Sequence, residues 1–319
     1  MEFGFGVPTR GAMATPESMA TLAKQGENLG FGIISVSDHV IIPKAIASTY
    51  PYNESGSFAS SPSGECLEQL TLLTFLAGVT STAKLLTSVM VVPHRPPVLT
   101  AKILATIDVL SKGRLIVGCG VGWMREEFEA IGAPPYDKRG AVSDEYIRAF
   151  KELWTSDNPT FAGTYCSFAN VAFAPKPLQK PHPPIWVGGE SPVALRRAGR
   201  LADAWYPIGS NPKFPVGTPA RFAELATSVK RHAQETGRNP SSLDFAYSVN
   251  WYNDDQQAMT LPGGQRRPLT GTPPQIADDI KRYADVGVRH MMVNLQADTL
   301  EQTLGRMQLF ADRIMPLTA

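Results

Sequence analysis

Leu85-Leu86-Thr87-Ser88-Val89-Met90-Val91-Val92 has the pattern of a buried strand, and Pro93-His94-Arg95-Pro96-Pro97 ends it. A helical pattern then leads into Leu115-Ile116-Val117-Gly118-Cys119-Gly120-Val121-Gly122-Trp123. These are two consecutive strand-helix units. Their strands end in Pro and Gly, which keep the carboxyl ends open, and ligands bind at those ends in parallel α/β folds.

The same alternation runs in both directions from this stretch. Short runs rich in Val, Ile and aromatic residues occur at 3–7, 32–37, 85–92, 115–119, 185–188, 204–207, 245–249 and 291–295. Longer amphipathic stretches predict helices over 17–29, 67–79, 97–110, 125–131, 143–154, 192–201, 221–235, 274–286 and 300–314. Strand runs alternating with helical periods predict βα units around a parallel sheet, and eight such runs predict a closed TIM-like (β/α)8 barrel of the α/β class. A barrel commonly uses a chain of 319 residues as one domain, so 1–319 is read as a single unit. Three insertions interrupt it, at about 41–65, 136–184 and 251–274. Loops of that length are disproportionately binding loops, and their places after strand ends predict that they crowd the carboxyl mouth.

Composition narrows the partners. The 30 basic and 29 acidic residues give a formal charge of +1 with no long run of either sign, so nothing favours nucleic acid or an anionic membrane, and a small-molecule substrate is expected. No stretch approaches the roughly 20 apolar residues that span a bilayer, and Met1-Glu2-Phe3-Gly4-Phe5-Gly6 has neither a basic nor an apolar leader region. A cytoplasmic location is the expectation. Cys66, Cys119 and Cys166 form neither a disulfide framework nor a zinc-type pair and are read as reduced. No His-x-His, His-Glu-x-x-His or Cys-x-x-Cys spacing announces a metal site.

Four places can carry chemistry. Gly118-Cys119-Gly120-Val121-Gly122 departs from a dinucleotide fingerprint, since its third Gly falls one residue early and no acidic residue ends a strand about 20 positions later. Read as strand-end glycines, Gly120 and Gly122 let a flat ring approach the backbone beside Trp123; read blandly, they serve a tight turn. Asp38-His39 ends the second strand, and because adjacent strand residues face opposite ways, only one of the two points into the mouth. His94 ends the third strand in the same way. Trp186-Val187-Gly188-Gly189-Glu190-Ser191-Pro192 is a strand, a double Gly and a helix start, whose N–H groups and dipole suit a phosphate, with Arg196 and Arg197 one turn further on.

Taken together, Gly30-Phe31 with Ser37-Asp38-His39, Leu86-Thr87-Ser88-Val89 with Pro93-His94-Arg95, Leu110 to Leu115, Gly118 to Phe128, and Pro183-Pro184-Ile185-Trp186-Val187-Gly188-Gly189 resemble the luciferase-like superfamily. The resemblance is to its branch of coenzyme F420-dependent oxidoreductases and covers about residues 3–207. It implies a flavin or deazaflavin at the carboxyl face, with its phosphate near Gly188, Gly189, Glu190 and Ser191. It also implies a non-prolyl cis peptide at Ser88-Val89 supporting the ring. Asp38 and His39 match positions near the ring's reactive end, and the resemblance makes His39 the acid-base candidate. A carboxylate used by the sugar-phosphate dehydrogenases of that branch falls on Trp123, so their substrate is not implied.

Three functions are therefore carried forward. The first is hydride transfer between coenzyme F420 and a small organic substrate, with Arg10, Arg95, Arg266 and Arg267 as candidates for the cofactor's anionic tail. The second is a two-component monooxygenase that receives reduced FMN from a flavin reductase and uses O2, with Phe161, Tyr165, Phe168 and Phe173 as an aromatic lid. The third is a non-catalytic flavin-binding protein. A homodimer is expected from the resemblance.

Overall fold

The computed structural model describes residues 1–58, 63–253, 258–261 and 263–318, so the parts of the first and third insertions at 59–62, 254–257 and 262 lie outside the described residues. The chain alternates as the sequence predicts. It begins β1 (Glu2–Gly6), α1 (Pro16–Asn28), β2 (Ile33–Val36), α2 (Gln69–Val79), β3 (Lys84–Thr87), β4 (Met90–Val91), α3 (Pro97–Leu110) and β5 (Leu115–Gly120). It continues with α4 (Arg125–Ala130), α5 (Arg139–Thr155), the short strands β6 (Phe161–Ala162) and β7 (Ser167–Phe168), β8 (Ile185–Gly188) and α6 (Pro192–Leu201). The last units are β9 (Ala204–Tyr206), α7 (Pro219–Gln234), β10 (Asp244–Val249), α8 (Pro273–Asp285), β11 (His290–Val293) and α9 (Leu300–Arg313). Several helices start where a hydroxyl precedes the first turn: Thr15, Ser191 and Thr218 each accept from the backbone N–H three residues on, and each is followed by Pro.

The sheet order β3-β2-β1-β11-β10-β9-β8-β5, with β3 also paired to β5, closes a parallel eight-stranded barrel among the described residues. Alternate strand residues point inward. Ile33, Leu86, Ile116, Trp186, Ala204, Tyr206, Ala246 and Met292 form one buried cluster of inward-facing residues, while a larger cluster fills the layer between strands and helices. Gly4 keeps the interior open for its neighbours, since a Cβ there would lie 2.5 Å from the Met292 sulfur and 2.7 Å from Ile33 Cβ.

The third predicted strand is one run in the sequence and two in the structure. Leu86 pairs with Ile116 and Met90 with Cys119, so four steps on one strand face three on the other and one residue bulges out. The Ser88-Val89 peptide within this bulge is cis, as the resemblance implied. Gly118 makes room for it: a Cβ there would sit 2.0 Å from the Thr87 carbonyl oxygen, and the Thr87 hydroxyl donates to the Gly118 carbonyl at 2.8 Å.

The second insertion meets the mouth only at its start, where the Tyr136 hydroxyl donates to the Trp123 carbonyl (2.8 Å) and Arg139 Nε to the Gly122 carbonyl (3.1 Å); the rest departs from the expectation. From Arg139 to Thr155 it is α5, which packs against α3 and α6 in the helical layer. Thr164, Tyr165 and Cys166 then donate their backbone N–H groups to the Glu145 carboxylate on α5. Gln179 reaches the Leu115 carbonyl at the amino end of β5. Phe161 stacks on Phe168 within the β6-β7 hairpin, and Phe173 lies under Lys102 of α3. These aromatics cover the helical layer and are no lid.

At the amino end of the barrel, His290 lies between Glu2 (Nδ1 to Oε2, 2.7 Å) and Asp244 (Nε2 to Oδ2, 2.9 Å). Two carboxylates on the two ring nitrogens require the doubly protonated imidazolium. Burial opposes that charge, but hydrogen bonds to Asp244 and Glu2 outweigh it and raise the His290 pKa.

Two stability measurements follow from this geometry. Gly118→Ala should cost about 3 kcal/mol in a urea titration, since overpacking against a backbone oxygen has no flexible atom to move. The His290 contribution is fully present below the unfolded imidazole value of about 6.5 and is lost as pH rises through the raised folded value. Stability measured upward from about pH 6.5 should therefore fall more steeply in the parent than in His290→Asn.

Candidate active site

Asp38 and His39 continue β2 beyond its last ladder residue and diverge as alternation demands. The Asp38 side chain is fully buried and both its oxygens are taken: Oδ2 accepts from Val91 N (2.8 Å) and Arg95 Nη1 (2.9 Å), and Oδ1 from Arg95 Nη2 (2.7 Å). Arg95 also grips Glu68 Oε1 through Nε (3.0 Å) and Nη2 (2.7 Å), and Glu68 caps α2 by accepting from Thr71 N. Burial works against the Glu68 charge, yet the Thr71 N–H and Arg95 hold its pKa below the usual value. One guanidinium thus ties the carboxyl ends of β2 and β4 to the start of α2.

His39 takes the opposite face. Its Nδ1 lies 2.9 Å from Glu127 Oε2, which leaves Nε2 on the far side of the ring. Glu127, on α4, is 2% exposed in its side chain, and its Oε1 accepts from Val40 N (2.8 Å) and Ile41 N (3.3 Å). Burial would raise the Glu127 pKa, but the His39 hydrogen bond, with help from the Val40 N–H, holds it low. The neighbouring Glu126 accepts from Ala47 N (2.7 Å) and Ser48 N (3.0 Å). Helix α4 therefore clamps the base of the first insertion by its backbone.

That insertion carries the aromatic cover. The rings of Tyr50, Phe58 and Trp123 meet pairwise at 5.2–5.4 Å, and Phe58 lies 5.1 Å from the His39 ring. Arg10, after β1, sits 4.7 Å over Phe58. The bulge residue Val89 forms the floor: a Cβ at Gly120 would meet Val89 Cγ2 at 2.6 Å, and one at Gly188 would meet Val89 Cγ1 at 3.3 Å. Ser88 Oγ and Tyr206 Oη are 2.9 Å apart beneath it. Gly122 has φ +83, and a Cβ there would strike Phe128 and Val91, so its role is to let α4 pack close. Gly189 has φ +102 at the turn into α6, whose cap is Ser191.

Glu190 faces the loop after β9, accepting from Ile208 N (2.8 Å) and Asn211 Nδ2 (3.0 Å). Burial outweighs these bonds and its pKa is pushed up to about 7. The candidate arginines divide. Arg95 and Arg266 are held by Asp38 and Asp279, and Arg197 is buried against Asp144. Arg196 is exposed, Arg10 covers Phe58, and Arg267 lies 4.1 Å over the Trp251 ring.

The structure brings His39, Trp123, Val89, Gly120 and Gly188 to one mouth, with Gly189 and Ser191 at its edge. Glu127, Tyr50 and Phe58 were missed. The pair Glu126-Glu127 reads in the sequence as ordinary first-turn acids, and only the loop it clamps shows what the carboxylates hold.

With strands closed in this order and these groups at their carboxyl ends, the class is that of TIM-like barrel enzymes. Residues 1–261 match the family described as luciferase-like monooxygenase, and the chain belongs to that family. Its place there is that of an oxidoreductase. It is 37% identical over 174 residues to the FMNH2-dependent dimethylsulfone monooxygenase of Pseudomonas putida, a match spanning 54% of this chain and 47% of that one. The chain thus covers about half the length of that relative. It is 36% identical over 282 residues to the enzyme of the same name from Pseudomonas fluorescens, covering 76% of this chain and 75% of that one. Among solved structures, an F420-dependent secondary alcohol dehydrogenase in complex with an F420-acetone adduct superposes with a TM-score of 0.76 at 17% identity, covering 100% of this chain and 99% of that one. At that identity the likeness is one of fold. No helix among the described residues is long and apolar enough to cross a membrane.

Arg95→Met should leave the buried Asp38 carboxyl without its guanidinium partner. Loss of one member of a buried pair costs about 3 to 5 kcal/mol, and chemical denaturation should show a decrease of that order.

Proposed function

We propose that the protein is the monooxygenase component of a two-component system, taking reduced FMN from a separate reductase and oxidising a small organosulfur compound of the sulfone class. The observation that carries this reading is the set of rings from Tyr50, Phe58 and Trp123 closed over His39 at the barrel mouth. A site that excludes water protects a reactive intermediate from wasteful breakdown. The identity to FMNH2-dependent enzymes over three quarters of the chain supports the cofactor.

The residues present fit a flavin. Gly120 and Gly188 lack the side chains that would displace Val89, which leaves an apolar floor for a flat ring. Ser191 and the start of α6 lie at the same rim, where a helix N-terminus suits a phosphate. When bound, reduced FMN would supply the electrons with which dioxygen is activated. The protein's share is placement, a dry enclosure and a proton-handling group, and His39 Nε2 is the group for the last of these. Asp38 acts at one remove, by holding the strand end that aims His39.

Hydride transfer with coenzyme F420 is the second reading, favoured by the match of Asp38-His39 to the deazaflavin branch and by a floor that accepts either tricyclic ring. A single assay separates them. With an FMN reductase, NADH and dimethylsulfone or a short-chain homologue, oxygen-dependent product is expected, and His39→Gln should lower turnover about 100-fold while reduced-FMN affinity holds. Product formation that requires reduced F420 and ignores oxygen would sink the monooxygenase reading. Unchanged turnover in His39→Gln would instead favour the non-catalytic reading of that residue.

A further inference from the structure

His39 has two ring nitrogens, and the proposed proton transfer needs a particular one of them free. We propose that Glu127 is the positioning residue of the site: its buried carboxylate fixes His39 as the Nδ1–H tautomer, so that an unprotonated Nε2 faces the mouth. The inference rests on the reading of His39 as the proton-handling group, but the tautomer it asserts is a property of the protein alone.

The geometry leaves little choice. An ionised carboxylate only accepts hydrogen bonds, so the 2.9 Å contact between Glu127 Oε2 and Nδ1 requires the proton on Nδ1. The carboxylate cannot swing away, because Val40 N and Ile41 N hold its other oxygen. When Nε2 takes a proton from a group at the mouth, the ring becomes an imidazolium whose Nδ1–H still donates to Glu127. When that proton is returned, the same tautomer is restored.

A second imidazole competes for Glu127 and loses. His94 Nδ1 is 4.0 Å from Glu127 Oε1, beyond hydrogen-bond reach, and both His94 nitrogens are buried without a partner. Burial, the largest effect on His94, lowers its pKa in spite of the nearby Glu127 and Asp38 charges, so the ring packs neutral against Phe128. The other charged or titratable groups around the pair are Asp38 after β2, Arg95 after β4, Arg10 after β1, Cys66 ahead of α2, Glu126 on α4 and Tyr50 in the first insertion. Asp38 is neutralised by Arg95, which leaves Glu127 as the anion that serves His39.

Glu127→Gln is the discriminating substitution. The amide oxygen still accepts from Val40 N and Ile41 N, while the amide NH2 replaces the acceptor facing Nδ1. His39 must then accept at Nδ1 and carry its proton on Nε2. Nitrogen-15 correlation spectra of the flavin-free protein above pH 8 should show the Nδ1–H tautomer of His39 in the parent and in His94→Phe, and the Nε2–H tautomer in Glu127→Gln. Turnover in Glu127→Gln should fall 10- to 100-fold, mostly in kcat, with the acid limb of its pH profile displaced to lower pH, and Glu127→Asp should restore part of the loss. An Nε2–H ring in the parent, the same tautomer in parent and Glu127→Gln, or inversion by His94→Phe alone would each overturn the inference. Should Glu127→Gln fail to fold, the tautomers of the parent and of His94→Phe still decide it. Inverted tautomers in a protein with no monooxygenase activity would overturn only the functional reading.

Discussion

The buried carboxylate of Asp38 is the constraint on which the mouth depends. Because neighbouring residues on a strand point to opposite faces, anchoring Asp38 on the helix-layer side, with Ile34 and Val36, sends His39 to the barrel-facing side. Arg95 meets Asp38 through both terminal nitrogens, and Val91 N adds a third donor, so the ends of β2 and β4 are fixed to each other. The same guanidinium reaches Glu68 and with it the cap of α2. Such a buried pair is weak evidence for net stability, since desolvation offsets most of its attraction. Its value here is directional: it sets the face from which His39 and the first insertion depart.

A second device builds the floor. One extra residue between Leu86 and Met90, measured against Ile116 and Cys119, throws the Ser88-Val89 segment out of the regular ladder. Three glycines on the adjoining strands accommodate it, Gly118 at the Thr87 carbonyl and Gly120 and Gly188 on either side of Val89. Helix α4 completes the enclosure from the other side, with Glu126 and Glu127 holding the backbone N–H groups of Val40 and of Ile41, Ala47 and Ser48 in the first insertion and so bringing Tyr50 and Phe58 to Trp123. The floor, the His39 ring and the aromatic cover are thus positioned by separate elements that meet only at the carboxyl ends of the strands.

Much of the fold was legible in the sequence because the barrel rests on local signals. Each of the eight strand runs and nine helical stretches has its counterpart, since apolar alternation, Pro after a Thr or Ser cap and Gly at turns act over a few residues. The break between β3 and β4 was not visible as periodicity, because the run from Leu85 to Val92 stays apolar across it, and it came from the family resemblance. Beyond Tyr136 and Arg139, which do reach the mouth, the second insertion was misread because loop length says nothing of where a loop returns: the Glu145 carboxylate draws residues 164–166 back along α5. Glu127 was missed for a related reason. A carboxylate in the first turn of a helix is usually a dipole partner in water, and only the tertiary approach of residues 39–41 makes this one a buried acceptor.

Taken as a whole, the molecule is a luciferase-like barrel in which His39 is bonded to Glu127 and covered by Phe58, on a loop that Glu127 and its neighbour Glu126 hold in place. The proposed function requires that the mouth accommodate reduced FMN. Anaerobic calorimetry of the flavin-free protein with reduced FMN, oxidised FMN and reduced coenzyme F420 tests this requirement most directly. Saturable micromolar binding of reduced FMN, with weaker binding of the other two, is the predicted result. Saturable binding of reduced F420 with none of reduced FMN would contradict it.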